Sequence, residues 1–254
     1  MTRIISVANQ KGGVGKTTTA VNLSASLAAA EKRVLLIDFD PQGNATSGAG
    51  VARNGAGGVY DAIIKRAEMR SLVKNTEISF LKVVPSSIDL IGAEVELVDD
   101  PEREFRLKEC IKGVTSGFDY IIIDCPPSLS LLTVNALVAS HSVLIPLQCE
   151  YYALEGISQI LRTIDLIKAR LNPALEIEGI LLTMFDPRNN LAHQVVEEIR
   201  RHFGKKAFET IIPRNVRLSE SPSFGKPAIL YDVYSKGAVS YMDLAKEVIL
   251  NSRH

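Results

Sequence analysis

The chain has 254 residues, 46% hydrophobic and 23% charged, with 29 Lys/Arg balanced by 29 Asp/Glu. That composition suits one α/β domain with a large core. Its zero net charge excludes a global field for holding nucleic acid, so any basic surface must be local. Three cysteines, Cys110, Cys125 and Cys149, without CxxC spacing exclude a disulfide framework and a zinc site, and point to a reducing cytosol.

The first element begins almost at once. Ile4-Ile5-Ser6-Val7-Ala8 reads as a buried parallel strand, and Met1-Thr2-Arg3 before it leaves no room for a signal peptide. Thr19 to Ala28, rich in Ala and Leu and free of proline, reads as helix. Between them lies Gln10-Lys11-Gly12-Gly13-Val14-Gly15-Lys16-Thr17-Thr18. A glycine-rich turn from strand to helix aims backbone N–H groups and a helix N-terminus at one point, which makes an anion site. Lys16 adds a positive charge for β/γ-phosphates, and the Thr17 hydroxyl is placed to ligate Mg²⁺. The ordinary phosphate loop has glycine where this chain has Gln10, and a second lysine, Lys11, opens the loop.

Val34-Leu35-Leu36-Ile37-Asp38 predicts a second buried strand that runs into Phe39-Asp40-Pro41-Gln42-Gly43-Asn44. Its carboxylates therefore fall at the strand's C-terminal edge, where open α/β sheets bind ligands. Residues 48–58, with five glycines, read as a mobile loop, and Phe80 to Pro85 as a third strand. Residues 89–109 carry eight acids against three bases and read as a solvated helical face. Tyr120-Ile121-Ile122-Ile123-Asp124 predicts a strand ending in the aspartate that supports Mg²⁺ in phosphate-loop NTPases. Ser142 to Leu147 reads as another buried strand.

The helical spacing of Leu154, Ile157, Leu161, Ile164 and Ile167 predicts a long packed helix. A strand over Glu178 to Met184, a helix through Leu191, Val195, Ile199 and Phe203, and a closing helix over Val239 to Leu250 complete the chain. Ser128 reads as a helix N-cap, and Glu150-Tyr151-Tyr152 as a strand end near the nucleotide or a dimer face, or as an ordinary helix entry. Cys125 and Cys149 read as packed core residues, and no His pair has metal spacing. Strands alternate with helices throughout, so the expected fold is a single three-layer α/β domain over 1–254, a mostly parallel sheet with helices on both faces. No stretch is long and apolar enough to span a bilayer; Leu131 to Leu147 is interrupted by Asn135, Ser140, His141 and Pro146.

These pieces resemble the ParA/MinD group of deviant-Walker P-loop ATPases, and most closely its chromosome-partitioning ParA (Soj-like) members. The resemblance rests on the loop at 10–18, on Asp38 to Asn44, on Asp124-Cys125-Pro126-Pro127-Ser128, and on Pro213-Arg214-Asn215-Val216-Arg217-Leu218-Ser219-Glu220. It implies that ATP and Mg²⁺ are the cofactors. Lys11, Gly12, Gly13, Val14, Gly15, Lys16, Thr17 and Thr18 would cradle the phosphates. Thr17 and Asp124, with Asp38 behind them, would serve the metal, and Asp40 would orient the attacking water. Lys11 would reach across an ATP-sandwich homodimer with Gly12 at its seam, and Pro213 and Asn215 would border the adenine.

The resemblance further implies non-specific binding to double-stranded DNA, a ParB-like centromere-binding partner, and a cytoplasmic, nucleoid-associated protein with no membrane attachment. Candidate DNA contacts are Arg188, Arg217, Lys226 and Lys236, in a region (186–254) with eleven Lys/Arg against eight Asp/Glu. Two other readings compete. A MinD-like membrane-cycling ATPase needs a basic amphipathic C-terminal helix, and Lys246 to His254 is short and weakly basic. An electron-transferring iron protein needs a cysteine shortly after the strand-end aspartate, and Ser128 to Leu132 has none.

Overall fold

Runs of β-branched residues that are apolar on both faces pair best in the middle of a parallel sheet, and that is where this chain puts them. The computed structural model describes residues 2–53, 57–150 and 153–252; for Leu154 and Glu155 it describes the backbone alone. The strands are β1 (Arg3–Val7), β2 (Val34–Asp38), β3 (Lys74–Asn75), β4 (Leu81–Val84), β5 (Tyr120–Asp124), β6 (Ser142–Gln148), β7 (Glu176–Phe185) and β8 (Ala207–Pro213). They form one eight-stranded sheet in the order β3-β4-β2-β5-β1-β6-β7-β8. Every pairing is parallel except that of β3 with β4.

The helices are α1 (Lys16–Ala29), α2 (Asn44–Gly48), α3 (Val59–Ile63), α4 (Met69–Leu72), α5 (Leu90–Glu96), α6 (Arg106–Lys112), α7 (Leu131–Ala139), α8 (Ala153–Arg170), α9 (Asn190–Phe203), α10 (Val216–Glu220), α11 (Ala228–Tyr231) and α12 (Lys236–Asn251). Successive strand residues point to opposite faces, so the sheet divides the core in two. Ile4, Leu35, Ile37, Ile121 and Ile123 pack with α3 and α5 to α9. Ile5, Val7, Leu36 and Ile122 pack with α1, α2 and α12. This is the three-layer α/β arrangement expected from the alternation of elements.

Two polar contacts pin α1, which is buried along most of its length. The Thr19 hydroxyl lies 3.0 Å from the Tyr241 hydroxyl of α12, and Asn22 Oδ1 accepts from the Ala228 N–H at 2.7 Å. The crossover helix between β1 and β2 is thus fixed by residues more than two hundred positions away.

Several expectations shift. The first helix starts at Lys16, inside the glycine loop, rather than at Thr19. Asn44 to Gly48 is helix, Ala49 is buried, and Gly50, at φ 79°, approaches so closely that an added Cβ would meet the Gly225 carbonyl at 2.8 Å. That part of 48–58 is packed rather than loose; residues 54–56 lie outside the description. The acidic stretch is broken into α5, a 3₁₀ turn at Arg103–Phe105, and α6, because Pro101 interrupts it. Phe80 stays outside its strand and exposed. The N-cap of α7 is Ser130, not Ser128, whose carbonyl instead accepts from the Thr133 hydroxyl.

Gly237, near the start of α12, sits where a Cβ would meet Leu218 Cγ at 2.6 Å. Gly237→Ala is expected to lower stability by about 1–3 kcal/mol through overpacking, against a helix-propensity gain of at most about 1 kcal/mol. Gly117→Ala, which meets nothing within 4 Å, should stay within about 0.5 kcal/mol of the parent. Urea denaturation compares the two; a Gly237→Ala protein as stable as the parent would contradict this packing.

Candidate nucleotide site

The register of the three central strands sets the chemistry. Val7 of β1 and Asp38 of β2 both pair with Asp124 of β5, so all three strands end together beneath the glycine loop. Gly13 and Gly15 take φ of 75° and 89°, a left-handed geometry that favours glycine, and Gly15 hands the chain to α1. No neighbour lies within 4 Å of a Cβ built on Gly12 or Gly13, which leaves the loop open to a ligand. The loop is held from below: the Asn9 side-chain Nδ2 donates to the Pro146 carbonyl at 2.7 Å, and the Thr183 hydroxyl donates to the Val14 carbonyl at 2.9 Å.

The two lysines occupy different places. Lys16 is buried, and its ammonium donates to the Lys11 carbonyl at 2.9 Å, from one end of the loop to the other. Burial lowers its pKa, opposed chiefly by the charge of Asp124. Lys11 points outward and pairs with Glu150 at 3.1 Å, both side chains nearly half exposed. Tyr151 and Tyr152, which follow, lie outside the described residues.

Asp38 and Asp124 are fully buried on adjacent strands. Asp38 accepts from the Thr46 amide and hydroxyl, each at 2.6 Å, and from the Asp40 amide at 3.3 Å. Desolvation still pushes its pKa up to about 6. Burial, then the charge of Asp38, pushes Asp124 well above the carboxylate range, with the neighbouring Thr17 hydroxyl and Lys16 acting the other way. Neither Asp124 oxygen meets a donor in full hydrogen-bond geometry, so the neighbouring Thr17 hydroxyl only eases its charge. A buried carboxylate so poorly satisfied needs a cation. Asp124 beside Thr17 and Lys16 therefore fits Mg²⁺, which takes few protein ligands and completes its shell with phosphate oxygens and water. Among the described residues, no group of three or more His, Cys, Asp or Glu side chains could hold a metal by itself. Asp40, also buried, accepts from the Gln42 amide at 3.0 Å.

Two of the cavities at the loop join each other. One, of about 340 Å³, is lined by Gly12, Gly13, Lys16, Thr17, Asp40 and Asn44. The other, of about 310 Å³, runs from Gly15 and Thr18 to Pro213, Asn215 and Leu218. Gly15, Thr18 and Met184 line both, so together they form one groove. Pro213 and Asn215 enter it because β8 ends at Pro213 and Asn215 caps α10, its Oδ1 accepting from the Arg217 N–H at 3.0 Å. A larger cavity, about 490 Å³ between α3 and α6, lies apart from this chemistry.

Sequence reasoning missed Met184, Thr183 and Asn44. Met184 stands at φ 53°, rare for a residue with a long side chain, at the junction of the two cavities, and nothing in the residue type signals that. Asn44 lay within a recognised stretch but carried no assigned role.

The candidate DNA contacts are less united. Arg188 is fixed two-pronged on Asp186, Arg217 pairs with Glu220 at 2.9 Å and Asp232 at 3.3 Å, and Lys226 lies 3.8 Å from Glu77. Lys236 is exposed at the start of α12. Arg217, Lys226 and Lys236 share the α10–α12 segment beside the groove, whereas Arg188 follows β7.

A parallel sheet that ends in a lysine-bearing glycine loop and two strand-end aspartates defines a P-loop nucleotide-binding protein. Residues 2–177 match the AAA domain family. The chain is 62% identical over 248 residues to the chromosome partitioning protein ParA of Myxococcus xanthus, spanning 97% of this chain and 88% of that one. It is 58% identical over 252 residues to the sporulation initiation inhibitor protein Soj of Bacillus subtilis, spanning 99% and 100%. Among solved structures, the cobyrinic acid a,c-diamide synthase of Mycobacterium smegmatis with bound ADP and magnesium matches with TM-score 0.87 and 35% identity, over 100% of this chain and 96% of that one. The chain belongs to the ParA/Soj family of chromosome-partitioning ATPases.

Asp38 offers a test of the site's electrostatics without nucleotide. Its folded pKa lies above the unfolded value of about 3.9, so its charge costs stability above pH 6, and that cost fades as pH falls through 6 towards 4. Asp38→Asn is expected to raise the melting temperature of the nucleotide-free protein at pH 8, by the equivalent of about 1–3 kcal/mol, and to match the parent near pH 4. Melting curves across that range check it; a gain that does not shrink on acidification would contradict the assignment.

Proposed function

We propose that this chain is the ATPase of a DNA-partitioning system, cycling between a nucleotide-free monomer and an ATP-sandwich dimer that binds double-stranded DNA without sequence preference. The observation that carries the reading is the separation of the two lysines, Lys16 inside the cradle and Lys11 at its mouth. Lys16 and the loop amides bind the β/γ-phosphates, and Asp40 orients the attacking water. Thr17 and Asp124, with Asp38 holding the strand end behind them, receive Mg²⁺. When bound there, the ion would supply neutralisation of the phosphate charge. Pro213 and Asn215 border the base.

Lys11 serves the phosphates of a second copy. Phosphoryl transfer is catalysed by positioning and charge, and a cation supplied in trans contributes roughly 10³–10⁵ in rate. Hydrolysis is therefore slow until dimerisation, and a ParB-like centromere-binding partner accelerates it and releases the DNA. Arg188, Arg217, Lys226 and Lys236 meet DNA phosphates. Several of them are already paired with acids, so binding depends on pooling two copies and on exchanging carboxylate for phosphate. This cycle places the protein in the cytoplasm, on the nucleoid.

The membrane-cycling alternative has less support. The helix α12 turns Tyr241, Leu244, Ala245 and Val248 into the core, so that apolar face is not free to lie on lipid. For the iron-protein reading, Cys125 and Cys149 are buried, and burial pushes both thiols up, Cys149 to about 12.

Lys16→Ala is expected to weaken ATP binding by about 10–100-fold, the loss of a charge-assisted hydrogen bond. Lys11→Ala should keep ATP binding and lose dimer-dependent hydrolysis. Fluorescent-nucleotide titration with phosphate release separates them; identical phenotypes would overturn the two-lysine assignment. Duplex DNA retention should require ATP, drop in Arg217→Ala, and fall with salt at a log–log slope of about −5 for roughly six phosphate contacts. Equal retention with ATP, with ADP and in Arg217→Ala would sink the switch.

A further inference from the structure

Three cavities converge on Thr18, and the nucleotide groove accounts for two of them. The third, of about 390 Å³, lies between α1, α2 and residues 221–226. It shares Thr17, Thr18 and Asn44 with the phosphate end of the groove, and Thr18 and Pro222 with the base end. Val21 and Asn22 of α1, both 5% exposed, form part of its wall, so it recedes below the surface.

Its charge has one sign. Arg53 and Lys226 line it, and no Asp or Glu does. Lys226 lies 3.8 Å from Glu77, which is outside the lining and mostly exposed. Arg53 has no acidic partner among the described residues. Its Nε donates to Ser47 Oγ at 2.6 Å and its Nη2 to Asn44 Oδ1 at 2.8 Å, both neutral acceptors. A guanidinium resting on neutral oxygens keeps its charge uncompensated, and its planar fork suits a phosphate.

The turn after Asp40 sets Arg53 in place. Gly43 stands at φ 63°, and a Cβ built on it would lie 3.5 Å from Arg53 Cδ and Nε. The side chain therefore packs across Gly43 and bonds to α2 at Asn44 and Ser47. Asn44 also lines the phosphate end of the groove, so the cation stands one side chain away from where phosphate is cleaved.

The neighbouring chemistry names the anion. ATP hydrolysis frees inorganic phosphate in the groove, whose phosphate end shares Thr17 and Asn44 with this cavity. We propose that the cavity between α1, α2 and 221–226 is a second anion site, in which Arg53 and Lys226 hold the phosphate released by hydrolysis. This rests on the ATPase activity of the family and not on the DNA cycle proposed above. A DNA backbone phosphate has the same chemistry, but the recess suits a free ion better than one tethered in a duplex.

Thermal melting of the full chain, loaded with Mg²⁺ and a non-hydrolysable ATP analogue, tests this. The analogue already fills the γ-phosphate position. Inorganic phosphate should raise the melting temperature saturably above a chloride control at matched ionic strength. Phosphate excluded from the general surface stabilises parent and variant alike, so the difference between them reports the cavity. Arg53→Gln should weaken the apparent phosphate affinity at least about tenfold, and Arg53→Lys should recover part of it. Ser223→Asp, which sets a carboxylate in the wall, should abolish the response with Arg53 still in place.

A parental phosphate response in Arg53→Gln and Ser223→Asp overturns the site, and so does the lack of a saturable response in the loaded parent. A response confined to the nucleotide-free chain puts the phosphate in the glycine loop and overturns it too. Duplex DNA retention with ATP should be equal in the parent and Arg53→Gln. Loss of that retention with the phosphate response intact assigns Arg53 to DNA and overturns the proposal.

Discussion

Two carboxylates buried side by side at the end of a parallel sheet set the terms for everything around them. The strand register leaves no freedom: Asp38 and Asp124 are cross-strand partners, and moving either would slip a whole hydrophobic strand to the wrong face. Thr46 and the Asp40 amide stabilise Asp38, but Asp124 has only the nearby Thr17 hydroxyl, and the desolvation of both is left largely uncompensated. The core on both faces of the sheet tolerates that cost. A ligand that brings a cation between these groups and the glycine loop relieves it, so ligand affinity and folding stability draw on the same electrostatic energy.

The loop above them is rigid for reasons outside itself. Its helix is buried nearly all round, tied to Tyr241 and Ala228, while Thr183 and Pro146 hold the loop from the neighbouring strands. The C-terminal third of the chain therefore contributes twice, as the support for α1 and as the wall of the groove through Pro213, Asn215 and Leu218. A displacement of α10–α12 would reach α1 and its loop, because the Thr19–Tyr241 and Ala228–Asn22 hydrogen bonds join them.

Much of this was legible in the sequence because its signals are local. Apolar runs gave the buried strands, the glycine spacing gave the loop, and strand-end aspartates gave the metal side of the site. What escaped depends on tertiary placement. The two-residue β3 has no pattern of its own and exists only because β4 offers an edge. Met184 lines both cavities through a backbone angle that its residue type disfavours. The segment at 89–109 was legible as acidic but not as apolar. Its charges dominated the composition, and only the structure shows that Leu90, Ala93 and Leu97 suffice for the core and leave Ile91 and Val95 over.

The place of Lys11 also bears on where switching energy can come from. Its contact with Glu150 joins two nearly half-exposed side chains, and such pairs contribute about 0–1 kcal/mol. Releasing Lys11 is therefore cheap, and Glu150 cannot by itself hold the protein in one state. Lys16 is different: it is buried, its pKa is lowered by desolvation, and it rests on a backbone carbonyl of its own loop. A phosphate offers that ammonium a charged acceptor in place of a neutral one, roughly doubling the strength of the hydrogen bond. The larger gain on binding nucleotide thus falls on the inner lysine, while the outer one stays half-exposed at the mouth of the loop.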